Sequence, residues 1–535
     1  MASKLLFLLF ICVQLQVYGQ QDAWVYFSDK ENVETSLANP ITILSQKAID
    51  RKQRHGVIID ARDVPVNATY ITALKAQENI LVLAKSKWFN AVHVRGSEVA
   101  ITALLNFPFV SEISFADKTL AATNKSQNEE TFSEVASVSE FVYGNTLNQV
   151  EMIHVNTLHE NDYTGVGITI AVLDSGFPNV NTIGAFQNLR NNNNLLGSYD
   201  FVERDNDVYA DTQDEHGTWV LSTMAGYIEN EFVGTAPDAS YYLFRTEDGA
   251  SENPVEESLW VEAAERADSL GVDIINTSLG YKTYDNPNYN HTDADLDGLT
   301  TFITKGASIA SEKGILVVSS SGNSGASGVG APADSEAVFS VGAVNASGAY
   351  AYFSSQGSDI QPSIKPDVTA QGLGSVVVSK TNTIQTLNGT SFSSPIIAGG
   401  LACLWQALPN LTHTELKQLV RESSSQYTTP DYLLGYGIPN LATALGALGI
   451  ENQAQELELL MYPNPTTNKV YFKKDASYTE LHVVVFNVLG TQILERTLKQ
   501  QEALDVSTFS EGVYVLQISA LDKITTKKLI KINAK

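Results

Sequence analysis

At 535 residues the chain is too long for a single hydrophobic core, and at roughly 150 residues per domain it holds three or four units. Hydrophobic residues at 43% and charged residues at 18% describe globular domains and exclude a disordered chain. The formal net charge of −26 excludes nucleic acid as a partner, because phosphate binding draws on clustered Lys and Arg, whereas an acidic surface favours solubility outside the cell.

Residues 1–19 carry Lys4, then a largely apolar run over 5–17, then the small residues Val17 and Gly19 about a cleavage point, which is the order of a secretory signal peptide. The apolar run is shorter than the roughly 20 residues of a membrane-spanning helix, and no later segment is long and apolar enough to span, so no transmembrane segment is expected in the mature form. Of the two cysteines, Cys12 lies in this removable segment and Cys403 in an apolar run, so no internal disulfide is expected after cleavage. Residues 20–118 mix strand-like runs (80–83, 91–94) with a helix-like one (97–106), the pattern of a small α+β domain. Residues 119–140 lose that periodicity and fill with Thr, Asn, Ser, Glu and Gln, as in a linker or processing segment.

Between residues 141 and 448, apolar strands at 168–173, 241–245, 272–276, 315–319 and 338–344 alternate with helices at 255–270 and 300–313 that stop at Gly271 and Gly314. Continuous apolar runs mark strands buried on both faces, so the expected fold class is α/β with a doubly wound parallel sheet. Residues 449–456 form a polar, acidic joint, and 457–535 contain short strand-like runs (481–487, 512–518) that predict a small β-sandwich.

Reacting groups on open α/β sheets gather at the carboxyl ends of the strands. Asp174 closes Ile168-Thr169-Ile170-Ala171-Val172-Leu173, Asn323 follows the strand at 315–319, and Ser391 lies in Asn388-Gly389-Thr390-Ser391-Phe392-Ser393-Ser394-Pro395. His216, in Asp214-Glu215-His216-Gly217-Thr218, opens a helical run. Singly, an aspartate after a strand reads as a turn residue and a histidine at a helix start as a cap. Together, in the order Asp, His, Ser, the three boxes resemble those of the subtilisin-like serine proteases, over residues 141–448.

That resemblance implies a serine endopeptidase with Asp174, His216 and Ser391 as catalytic triad, the Asn323 amide and Ser391 N–H as oxyanion hole, and Ser278, Leu279, Gly280 and Gly322 at the substrate-binding edge. The chemistry requires these types: a serine hydroxyl is a poor nucleophile at neutral pH, so a histidine takes its proton and an aspartate orients the imidazole. A helix over 396–402 would aim its N-terminus at the developing negative charge, with Pro395 near the edge of its first turn. A binding protein that keeps the fold without turnover is the rival reading, and the complete set of three residues argues against it.

No organic cofactor is implied, although the family resemblance leaves room for structural calcium. Asp293, Asp295 and Asp297 resemble the first half of a calcium loop, but Thr304 stands where the twelfth-position glutamate belongs; the competing reading is an acidic helix N-terminus ahead of 299–313. The N-terminal domain resembles the family's inhibitory propeptide, which implies that the chain's own N-terminal piece blocks the cleft until cut. Tyr462-Pro463-Asn464-Pro465, Phe486-Asn487-Val488-Leu489-Gly490, Leu504-Asp505-Val506-Ser507 and Gly512-Val513-Tyr514 resemble a type A sorting domain of the type IX secretion system. The implied partners are protein or peptide substrates, the propeptide and the type IX machinery, and the implied location is outside the cell or on the outer-membrane surface after periplasmic transit. An adhesive or substrate-binding sandwich is the alternative for this last segment.

Overall fold

Successive residues of a strand face opposite sides of its sheet, and the first strand, Gln20–Phe27, buries both. In the computed structural model, which describes residues 19–120, 141–210, 214–452, 459–473, 480–487, 492–499, 502–520 and 523–532, Ala23, Val25 and Phe27 of this strand enter one core with Val92, Val94, Leu74 and Ile101. Trp24 points the other way and stacks on Phe302 at 4.8 Å between ring centroids. The strand order of this antiparallel sheet is Ile80–Ser86, Ala91–Ser97, Gln20–Phe27, Val110–Phe115. The expected helix at 97–106 is a short α-helix, Glu98–Thr102, that tightens into a 3₁₀ turn, Ala103–Asn106. Of the other sequence expectations, residues 1–18 of the signal segment, 121–140 of the linker, 453–456 of the joint and 488–490 of one sorting box lie outside the described residues.

The outer face of the sheet docks on the helices Val255–Leu270 and Phe302–Glu312. Trp24 Nε1 donates to Ser258 Oγ at 2.8 Å, and Glu265 accepts from the backbone N–H groups of Lys87 and Trp88, both at 2.9 Å. A second attachment is ionic. The helix Gln46–Arg54, capped by Ser45, carries Arg51 and Lys52, whose side chains are fully buried. Lys52 Nζ lies 2.7 Å from Asp268 and 3.1 Å from Asp63, Arg51 also pairs with Asp268, and Lys313 Nζ lies 2.8 Å from Asp63. Burial lowers the Lys52 pKa, and the buried cations hold the Asp268 carboxyl well below the usual range although burial opposes this.

The next sheet has eight strands in the order Ile384–Asn388, Val368–Val378, Phe339–Asn345, Leu316–Ser320, Ile274–Thr277, Thr169–Asp174, Ser240–Arg245, Leu195–Asp200. All neighbours are parallel except Ile384–Asn388 against Val368–Val378. The α/β class therefore holds, with one antiparallel edge strand. Ala171, Leu173, Ile275 and Val317 face Val255–Leu270 and Phe302–Glu312 on one side of the sheet, and the helix Thr390–Ala407 covers the other. The first of these eight strands in chain order, Thr169–Asp174, lies between the third and fourth, so strand order reverses beside it and a crevice opens at its carboxyl end, where Asp174 sits.

Three strands of the eight-stranded sheet escaped the sequence reading because they lack a continuous apolar run: Leu195–Asp200 is only half-buried, Val368–Val378 contains Gly372 and Gly374, and Ile384–Asn388 has exposed residues. The expected helix at 300–313 begins at Phe302, because the Thr301 hydroxyl accepts from Thr304 N and caps it. The helix Leu441–Asn452 continues past residue 448, where the joint was expected to begin. In the C-terminal unit, strands Leu460–Tyr462, Lys469–Lys473 and Leu504–Asp505 form one sheet. Gln492–Lys499, Glu480–Asn487, Gly512–Ala520 and Lys523–Lys531 form another, and both share a core of Val470, Val483, Val485, Leu504, Leu516 and Leu529. Among the described residues no helix is long and apolar enough to cross a membrane.

Asp268→Asn would leave Arg51 and Lys52 buried without their shared counter-charge. It is expected to weaken docking of the N-terminal domain by about 3–5 kcal/mol, read as lost amide protection in Gln20–Phe27 and Ala91–Ser97 by native-state hydrogen exchange.

Candidate active site

Asp174 ends its strand fully buried. Its Oδ1 accepts from Ser175 N at 2.8 Å and faces His216 Nδ1 at 2.8 Å, while Oδ2 is buried without a hydrogen-bond partner among the described residues. His216 opens the helix His216–Ala225, where the first amides lack intrahelical acceptors. Its own N–H is taken by Asp214 Oδ1 at 2.9 Å. The next residue has to be glycine: a Cβ on Gly217 would stand 2.3 Å from Gly176 O, in the turn after Asp174. Two glycines thus allow the helix end to close on the strand end.

Ser391 is the second residue of Thr390–Ala407 and is nearly buried. Its Oγ donates to Ser278 O at 3.4 Å, and the ring of the adjacent Phe392 lies 6.1 Å from that of His216. The helix therefore starts five residues earlier than Pro395, which sits inside it rather than at the edge of its first turn. Polar side chains at 390, 391, 393 and 394 hid this start, because they read as loop until the tertiary structure buries them. Cys403, farther along, is buried with Sγ on Thr235 O at 3.1 Å, and burial pushes its thiol far above the usual range.

Asn323 has its amide oxygen occupied: Oδ1 accepts from Thr390 N at 2.9 Å and from Thr390 Oγ1 at 3.0 Å. Nδ2 is thereby left as a donor with no partner among the described residues, near Gly389. Gly322 needs its positive φ of 105°, and a Cβ there would meet Ser355 Oγ at 2.8 Å. Ser355 Oγ accepts from Ser324 N at 3.0 Å, and Gly322 N donates to Thr390 Oγ1 at 3.2 Å. That Thr390 and Ser355 hold this loop was not legible from the sequence, since the contacts join segments far apart in the chain. On the opposite edge Leu279 is half-buried and Gly280 exposed, and Tyr281 exchanges backbone hydrogen bonds with Ala331.

The acidic run does not converge. Asp293 pairs with Lys282 at 2.8 Å, Asp295 accepts from Thr292 and from Lys118 at 2.9 Å, and Asp297 accepts from Leu299 N and Thr300 N. Among the described residues no three His, Cys, Asp or Glu side chains group to hold a metal ion. Asp293 and Asp295 lie in a short 3₁₀ helix of their own, Asp293–Asp295, with Thr292 at its N-cap, while the longer helix starts at Phe302 under a Thr301 cap and Asp297 closes the turn between them.

Burial disfavours the charged form of His216, but Asp174, and beyond it Asp214 and Glu247, outweigh this and raise the imidazole pKa above its ordinary value. Glu247 follows Thr246, whose N–H bonds Asp174 O. Buried and close to Glu252 and Asp174, its carboxyl is pushed up to about 8 even though Tyr281 donates to it at 2.5 Å.

Comparison with known proteins bears on this geometry. The model of the subtilase family matches residues 165–437, that of the peptidase S8 propeptide domain of Bacteroidota matches 22–133, and that of a secretion system C-terminal sorting domain matches 460–533. Subtilisin E of Bacillus subtilis (strain 168) is 31% identical over 301 residues, covering 55% of this chain and 70% of that protein. The subtilisin of Bacillus pumilus is 30% identical over 301 residues, covering 55% and 97%. Subtilisin BL of Lederbergia lenta is 28% identical over 299 residues, covering 55% and 97%. The class so defined is a serine-type endopeptidase on a mostly parallel α/β sheet. The chain belongs to the subtilase family, and it carries a propeptide domain ahead of the enzyme and a sorting domain behind it.

Asp214→Asn keeps a side-chain oxygen for His216 N–H but removes a negative neighbour that favours the imidazolium. The His216 pKa, followed by NMR of the ring protons, is expected to fall, moving the acid limb of activity to lower pH.

Proposed function

We propose that the enzyme cleaves internal peptide bonds by acyl transfer, with Ser391 as nucleophile, His216 as the base that takes its proton and returns it to the leaving amine, and Asp174 as the group that orients His216. The observation that carries this reading is the 2.8 Å hydrogen bond between buried Asp174 and His216 Nδ1, beside the helix start that bears Ser391. That bond leaves Nε2 as the ring nitrogen free for catalysis. For attack, Ser391 Oγ leaves Ser278 O and hands its proton to Nε2. The tetrahedral oxyanion is met by Asn323 Nδ2, on an amide held by Thr390, and by Ser391 N–H, aided by the N-terminus of an 18-residue helix.

The N-terminal domain acts as an intramolecular inhibitor, removed by the enzyme itself. Its docking on Val255–Leu270 and Phe302–Glu312 through buried hydrogen bonds and ion pairs supports tight retention until the linker is cut. The sorting domain carries the precursor through the type IX machinery, after the signal segment has directed it to the periplasm, and delivers it to the medium or the outer-membrane surface.

Matured wild type is expected to digest casein and to be silenced by a serine-directed covalent inhibitor, while Ser391→Ala neither digests casein nor frees its own N-terminal domain. Normal maturation of Ser391→Ala would assign processing to another protease, and an inert, correctly processed wild type would overturn the triad. Asn323→Ala is expected to lower kcat by about 10²–10³-fold with KM little changed, the loss measured when such an oxyanion donor is removed from subtilisin.

A further inference from the structure

In an α-helix the carbonyl of residue i accepts from the N–H of residue i+4. For Ser391 in Thr390–Ala407 that donor would belong to residue 395, which is proline and has none. A buried carbonyl left open in this way is costly. It is not left open: Ser278 Oγ donates to Ser391 O at 2.8 Å. We infer that Ser278 is a positioning residue for the nucleophile, its hydroxyl standing in for the helix hydrogen bond that Pro395 removes.

The donor is itself held. Asn276 Nδ2 approaches Ser278 Oγ at 3.4 Å, and Asn276 Oδ1 accepts from Ser394 Oγ at 3.1 Å, so one amide braces the Ser278 hydroxyl and the next turn of the nucleophile's helix. Asn276 and Ser394 are fully buried and Ser278 is 6% exposed. Ser278 directly follows the strand Ile274–Thr277, whose Thr277 is in register with Leu173, the residue before Asp174. The hydroxyl therefore ties the backbone of Ser391 to the sheet edge that carries Asp174. The return contact, Ser391 Oγ on Ser278 O, makes each serine the hydrogen-bond donor to the other's carbonyl.

A hydroxyl has one proton to donate. Committed to Ser391 O, that of Ser278 is not available to substrate, whereas the backbone of residues 278–280 remains the edge that substrate would pair with. Losing the side chain should therefore disturb the placement of Ser391 Oγ and N–H without weakening substrate binding, and small displacements of reacting groups are expensive in rate. The inference rests on Ser391 being the nucleophile.

Three variants of the matured enzyme test it: Ser278→Ala, Pro395→Ala and the double substitution, each freed of its N-terminal domain by added wild-type enzyme where it does not free itself. Ser278→Ala is expected to lower kcat about tenfold with KM within about twofold, and to slow fluorophosphonate labelling of Ser391 in parallel. Pro395→Ala restores a backbone N–H opposite Ser391 O, so it should recover most of that loss in the Ser278→Ala background and none in wild type. Full kcat in Ser278→Ala, a change confined to KM, no recovery in the double variant, or a lowered melting temperature with unchanged labelling would each overturn the inference. A wild type that fails to label overturns the nucleophile assignment itself, which separates the two failures.

Discussion

The site depends on how closely the first turn of His216–Ala225 can approach the end of the strand Thr169–Asp174. A helix carries side chains on every residue, and a methyl group on Gly217 would overlap Gly176 O, so contact between these two ends is open only to glycine. That contact brings His216 within 2.8 Å of the buried Asp174 carboxylate, whose burial is offset by the hydrogen bonds it accepts. Ser175 N and the imidazole share the burden of stabilising Asp174, and Asp174 in turn raises the imidazole pKa.

The opposite problem arises at Ser391. A helix that begins with Ser391 at its second position aims backbone N–H groups at the cleft, but Pro395 interrupts the hydrogen-bond ladder one turn later. The interruption is closed from outside the helix, by Ser278, and the loop bearing Asn323 is closed from inside it, by Thr390. Asn323, Ser391 and the edge at 278–280 are thus joined by hydrogen bonds from Thr390 and Ser278. The ion pairs under the N-terminal domain work on a larger scale: charges that would be expensive if left single in the protein interior are paired across its attachment, Lys52 with Asp268 and Asp63 with Lys313.

Much of this was legible before any coordinates. Helix Val255–Leu270 was expected with the same bounds, because apolar spacing and a glycine stop coincide at Gly271. Residues of fully buried strands show as continuous apolar runs whatever their neighbours, so the five expected strands fall within a few residues of the observed ones. Half-buried edge strands carry no such run and went unseen.

The sequence by itself determined the order of the domains, the α/β class and the three boxes that hold Asp174, His216 and Ser391, because these are local patterns of residue type. Only the tertiary structure decided that Thr390 turns the Asn323 amide, that Ser278 replaces the bond missing at Pro395, that Asp293, Asp295 and Asp297 have separate partners, and that Arg51 and Lys52 are buried against Asp268. Each of these, apart from the dispersal of the aspartates, joins residues at least 67 positions apart, and a hydrogen bond or ion pair of that reach leaves no trace in the periodicity of either segment.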